Sequence, residues 1–150
     1  MICFDKTKSL QELEHKDWGE PNFDSHLVQE CHRLHLISLK DFTIEDLRIM
    51  IGQNIGLDYL VPLAVEKLQK KPLSEGAFYP GDLLVSILRA DSQFWLNNSD
   101  LQKEVTQIAE RAFAQTSSLD EFERLSTEQA LKEANDIFNR TDYLAKNGRS

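Results

Sequence analysis

Any chemistry in this chain would start from Cys31, His32 and His35, with His26 just upstream, where a thiol and three imidazoles crowd one short stretch. On a helix Cys31 and His35 stand one turn apart on a shared face, a spacing that can hold two metal ligands. His32 points elsewhere, and no HExxH or CxxC pair accompanies the group. Cys31 also falls among the apolar positions Leu27 and Leu34, which suits a small buried hydrophobe better than a ligand. As a nucleophile the thiol would need a neighbouring histidine and an orienting carboxylate or carboxamide, and no local signature supplies them. A small enzyme built on Cys31 and a histidine is thus permitted by the residue types and supported by no pattern. No metal site and no cofactor are expected, and no residue is assigned a catalytic role.

Other chemistries fare no better. There is no GxSxG serine motif, and Gly52 and Gly56 precede no GK[ST], so they make no phosphate loop. Asp17, Glu20 and Asp24 gather near Trp18, yet paired carboxylates at that density are ordinary in an acidic chain. Asp120, Glu121, Glu123 and Glu128 differ in kind. Acids at a helix start serve the positive end of its dipole, and the functional alternative is an acidic patch that meets a basic partner.

The elements that must position these residues read as helices. Gly52 to Asp82 holds four of the six glycines and three of the four prolines, with amphipathic pattern on both sides, so it marks where helices stop and restart. Gly52 is expected to close a helix opened by the T-x-x-D box of Thr43 and Asp46. Gly56 precedes LDYLVPLAVEKLQKK, with Asp58 placed to cap, Pro62 tolerated in the first turn, and Lys67, Lys70 and Lys71 before Pro72 at the far end. Pro80 and Gly81 turn the chain, and Asp82 is expected to cap LLVSILRA. Asp24 or Ser25 should cap a helix carrying Leu27, Val28, Cys31 and Leu34. Phe94, Trp95 and Leu96 form one inward turn, and Ser99 with Gln102 opens a helix with Leu101, Val105, Ile108, Ala109, Ala112 and Phe113. Ser118 with Glu121 opens another, carrying Leu119, Phe122 and Leu125. Ala130, Leu131, Ala134, Ile137 and Phe138 make a final apolar face, and a restart at Ser126 stays open. The expectation is one all-α domain over residues 1–150, of about six to eight helices without significant sheet, with residues 145–150 a frayed tail.

Composition excludes several function classes. With 28% charged and 41% hydrophobic residues the chain is an ordinary globular sequence, so disorder is not indicated. It has no apolar run of membrane-spanning or signal-peptide length, and its two cysteines make no disulfide framework, so a cytoplasmic protein with reduced thiols is expected. A net charge of −8 opposes sequence-independent binding to nucleic acid. Residues 51–90 balance four acids with four bases, whereas 91–150 carry eleven acids against seven bases, which points any charge-guided contact toward the later half.

Three stretches carry a resemblance: SLQELEHKDWGEP from Ser9 to Pro21, GQNIGLDYLVP from Gly52 to Pro62, and FYPGDLL from Phe78 to Leu84. Together they resemble the immunity proteins of contact-dependent growth inhibition, over roughly residues 9–100. In such systems a bacterium delivers the toxic C-terminal domain of a surface exoprotein into its neighbours, and a small cytoplasmic immunity protein protects the producer. The resemblance implies a binding protein that blocks one cognate toxin domain, frequently a nuclease, rather than an enzyme. The motif residues Trp18, Gly52, Gly56, Pro62, Pro80, Gly81 and Asp82 are then fold determinants, and Asp120, Glu121, Glu123 and Glu128 are the expected toxin contacts. A cytosolic helical adaptor unrelated to toxins would look the same at this level.

Overall fold

Short polar side chains open the helices of this chain. The structure, a computed structural model, describes residues 3–22 and 25–147, with side chains followed as far as residue 140. Ser9 closes a reciprocal capping box with Glu12 to start α1 (Leu10–Glu14), and Thr43 does the same with Asp46 to start α3 (Ile44–Gly52). Between them lies α2 (His26–His35), and after them come α4 (Leu57–Lys70), α5 (Asp82–Leu88), α6 (Ser92–Leu96), α7 (Ser99–Gln115) and α8 (Glu121–Asn147). Two short 3-10 turns, Leu39–Asp41 and Thr116–Ser118, complete the order. Among the described residues the only β pairing is two isolated bridges, Ser9 with Ser38 and Glu75 with Pro80, so the fold is all-α with eight helices.

Several helix ends differ from expectation, each for a local reason. Gly52 is the last helical residue of α3, and the left-handed residue that turns the chain after it is Asn54, at φ +57°. The cap of α4 is Gly56, so Asp58 lies inside the first turn and Pro62 in the second, where its missing N–H leaves one carbonyl without its helical bond. Gly81 precedes α5, and Asp82, its first residue, turns its carboxylate back to the preceding loop. Asn98 and not Ser99 precedes α7. At the last helix Asp120 replaces Ser118, because its Oδ1 accepts the Glu123 N–H at 2.9 Å. Asp24 lies outside the described residues, and Ser25 takes the cap position of α2.

One apolar cluster runs from Leu10 to Phe138. Its centre is α5, buried at six of seven positions, which packs against α3 on one side and α8 on the other. The motif stretches meet in space around it. Gly56, at φ +62°, lies so close to Leu10 that a Cβ there would sit 2.8 Å from a Leu10 methyl, and the Tyr59 hydroxyl donates to the Leu13 carbonyl at 3.3 Å. Gly81, at φ +89°, backs onto Leu73, Thr127 and Leu131, so the FYPGD turn is packed directly against α8. Through α8 the buried stripe is Thr127, Leu131, Ala134 and Phe138 on one unbroken helix, with no restart at Ser126. That stripe turns Phe122 and Leu125 to the opposite side: they are 83% and 58% exposed.

Candidate partner-binding surface

The loop between α4 and α5 is built around two carboxylates. Asp82, 2% exposed, accepts the Gly76 N–H at 2.7 Å and the Phe78 N–H at 3.0 Å, while Glu45 from α3 accepts the Ala77 N–H at 2.8 Å. Arg48, one turn after Glu45, donates to both of its carboxylate oxygens and lies 4.0 Å from Asp82. Its guanidinium also covers one face of the Phe78 ring, 4.4 Å from the centroid. The loop is thereby held rigid while Phe78 stays 67% exposed. On the other side the Thr127 hydroxyl donates to the Pro80 carbonyl at 3.0 Å, tying the loop to α8.

The hydrogen bonds from Arg48, helped by the Ala77 N–H, hold the Glu45 carboxyl below the usual glutamate range. A carboxylate depressed in the folded state contributes stability that is present above its unfolded value and lost as pH falls through its folded value. Glu45→Gln, which keeps an acceptor for Ala77, should therefore show a smaller drop in melting temperature than the parent as pH is lowered through the carboxylate range. Circular dichroism melts across that range check this, and parallel curves would contradict it.

At the start of α8 the four acidic residues separate into two kinds. Asp120 caps the helix, and Glu128 accepts a hydrogen bond from the Thr116 hydroxyl at 2.9 Å, so both have structural work within the chain. Glu121 is exposed, and Glu123 sits against Asp120, whose hydrogen bond and negative charge push the Glu123 carboxyl up from its ordinary value. The exposed Glu75 of the loop adds to the same effect. Asp120, Glu123 and Glu75 thus form one crowded acidic region where the loop meets α8, whereas Glu121 and Glu128 lie on another side of the helix, which Glu128 turns toward Thr116. The exposed Phe122 and Leu125 stand one turn apart on the opposite side of α8 from Thr127, away from the loop that carries Glu75. Sequence reading missed Glu75, Glu45, Arg48 and the outward aromatics; the i, i+3 pairing of Glu45 with Arg48 was the one signal available for them.

The thiol and imidazoles are organised by Trp18 instead. Its indole stacks on His35 with 3.8 Å between centroids and an interplanar angle of 12°, and meets the His32 ring edge-on at 5.1 Å. His35 is buried and its Nε2 lies 3.0 Å from a Glu14 carboxylate oxygen, a contact between α2 and the end of α1. Trp18 separates a cleft of about 330 Å³, lined by Asp17, Glu20, His32 and His35, from one of about 220 Å³ lined by Leu27, Cys31 and Ile55. Burial pushes the Cys31 thiol up, which disfavours the thiolate a nucleophile needs. No group of three or more His, Cys, Asp or Glu side chains converges as a metal-ligand set among the described residues. The arrangement is a packing joint between the first two helices, and Trp18 is its centre.

Pro62 is half-buried and lines a cleft of about 400 Å³ between α4 and α7 with Val65, Glu66, Asp100, Leu101 and Glu104. No helix among the described residues is long and apolar enough to cross a membrane. No curated protein and no solved structure gives a match to this chain. A model of the family described as CDI immunity proteins matches residues 12–105, which include Trp18, the Gly52–Pro62 segment and the FYPGD turn just described. With more than half of the chain matched, this protein belongs to the family of contact-dependent growth inhibition immunity proteins.

Proposed function

We propose that this protein works in the cytoplasm of the producing bacterium, as a single domain that binds and neutralises the C-terminal toxin domain of its cognate exoprotein. It does so by occupancy, with no catalytic residue and no cofactor. The observation that carries the surface is the acidic crowding at the start of α8, where Asp120 and Glu75 raise the cost of ionising Glu123. A basic partner surface would relieve that cost, and a toxin with a nuclease cleft must be basic to hold phosphates. Membrane and nucleic acid are not partners in this account. Asp120 and Glu128 are bound within the chain, so Glu121 and Glu123 carry most of the steering.

Glu121→Lys with Glu123→Lys leaves the Asp120 cap in place and reverses that field. The association rate with the cognate toxin domain should fall by roughly tenfold at low salt, and the gap should narrow as salt is added. Stopped-flow mixing at two ionic strengths measures it. Unchanged association at low salt would remove this patch from the account.

A further inference from the structure

We infer that the groove between α4 and α7 seats a lysine or arginine side chain of the toxin domain, its aliphatic stem lying on Pro62, Val65 and Leu101 and its cationic head meeting Asp100 and Glu104. This rests on the immunity reading and deepens it by naming a site and the chemistry it takes. The floor of the groove is apolar: Val65 is buried, and Pro62 and Leu101 are half-buried. Its walls carry exposed carboxylates from both helices, Glu66 from α4 and Asp100 and Glu104 from α7, and no basic residue lines its volume of about 400 Å³. Glu66 is already engaged from outside by Lys6 at 2.9 Å. Asp100 and Glu104, one turn apart, make no ion pair and no side-chain hydrogen bond among the described residues. Asp100 also serves the dipole in the first turn of α7, whereas Glu104 lies a turn further on and has no such role. Lys103 projects roughly 100° round the helix from Glu104 and does not line the groove.

Pro62 supplies a second, independent observation. A proline past the first turn of a helix costs stability, because it removes a backbone hydrogen bond and its ring crowds the preceding turn. The lost bond is the one the Asp58 carbonyl would accept, so an acceptor without its helical donor stands one turn before Pro62 on the same side of α4. Pro62 thus gives the groove an apolar surface and a neighbouring acceptor, and both suit a side chain that carries N–H donors on an aliphatic stem. Arg111 fixes the spacing of the two walls, donating to the Gln69 carbonyl at 2.9 Å and to its side-chain oxygen at 3.2 Å, so the groove is formed before a partner arrives.

Charge and exposure decide the occupant. A nucleic acid would be repelled by the same carboxylates. A free polyamine matches the charge, but walls this exposed would leave a small cation hydrated and weakly held. A second copy is opposed by the net charge of −8 on each chain, although Lys6, Lys40, Lys67 and Lys70 gather in a cleft on the other side of α4. A protein surface holds its basic side chain in place through the contacts around it, and a toxin domain that grips phosphates has such side chains to offer.

Asp100→Asn with Glu104→Gln keeps the size of both side chains and removes only their charge. Dissociation from the cognate toxin domain, followed by surface plasmon resonance, should accelerate by about tenfold or more. Glu110→Gln with Asp136→Asn removes the same charge from exposed positions elsewhere and should leave dissociation within about twofold of the parent. Pro62→Ala restores a helical bond, so its melting temperature should equal or exceed the parent's, yet dissociation should be faster by about threefold or more. A proline with a structural role alone would not pair a helix that is no less stable with a weaker complex. Parent-like dissociation of either groove variant overturns the proposal while leaving the immunity reading intact. Calorimetry showing that spermidine binds the parent and not the double variant, with toxin dissociation unchanged between them, overturns it in favour of a free polyamine. Sedimentation showing that the parent self-associates and that the double variant does not overturns it in favour of a contact between copies. Absence of any complex with the unaltered protein is a separate result, seen before a substitution is made, and removes the immunity reading together with this one.

Discussion

Asp82→Ala should cost about 3 kcal/mol or more of folding stability, because it strips the charge from a buried ionic and hydrogen-bonded cluster. Its carboxylate, 2% exposed, accepts the backbone N–H groups of Gly76 and Phe78 and faces the Arg48 guanidinium at 4.0 Å. Alanine would leave two part-buried donors without their acceptor and Arg48 balanced by Glu45 alone. For a chain of this size that loss corresponds to a melting temperature lower by on the order of 10 °C. Asp82→Asn should recover only part, since one amide oxygen cannot serve both N–H groups and its NH₂ would face a donor. A melting curve for Asp82→Ala within two or three degrees of the parent would show that the loop between α4 and α5 is held by its apolar contacts, chiefly Leu73 against Gly81, rather than by the carboxylate.

Phe138→Ala should be comparably damaging, at about 3 to 5 kcal/mol, through the cavity it opens. The ring is 1% exposed and meets the fully buried Trp95 edge-on, with centroids 5.1 Å apart at 88°, which joins α6 to the middle of α8. Phe138→Leu should lose less than half as much. Urea unfolding of the three proteins supplies the comparison, and a loss below about 1 kcal/mol for the alanine variant would mean that α8 is held by Thr127 and Leu131 without its later turns. The outcome bears on function, because the surface proposed for the partner is carried on that helix.

Local devices were readable from the sequence where the residues that make them are neighbours. The Thr43 box with Asp46 is present as expected, and the Val105, Ile108, Ala109, Ala112 period is buried along α7. The motif residues Gly56, Gly81 and Trp18 hold special positions because each touches something far away in the chain, and the sequence could mark the position without naming the partner. The contact of His35 with Glu14 spans 21 residues and that of Thr127 with Pro80 spans 47, distances at which spacing carries no information. Asp82 was misread for a related reason: an aspartate before an apolar run is as good a cap as any, and only the folded loop shows that its acceptor oxygens are taken by Gly76 and Phe78.

The candidate surface was half readable. Acid density at the start of α8 is visible in composition, but Phe122 and Leu125 have the same spacing whether they face in or out. With a restart at Ser126 left open, their side of the helix was not fixed by the sequence. Once Thr127, Leu131, Ala134 and Phe138 are seen on a single continuous helix, the outward pair follows from the 3.6-residue period.

The measurement that tests the central claim most directly is co-expression of this protein with its cognate toxin domain, scoring growth and a co-purifying complex by size-exclusion chromatography. Restored growth together with a one-to-one complex is the predicted result. Persistent toxicity alongside folded protein that elutes alone would contradict it.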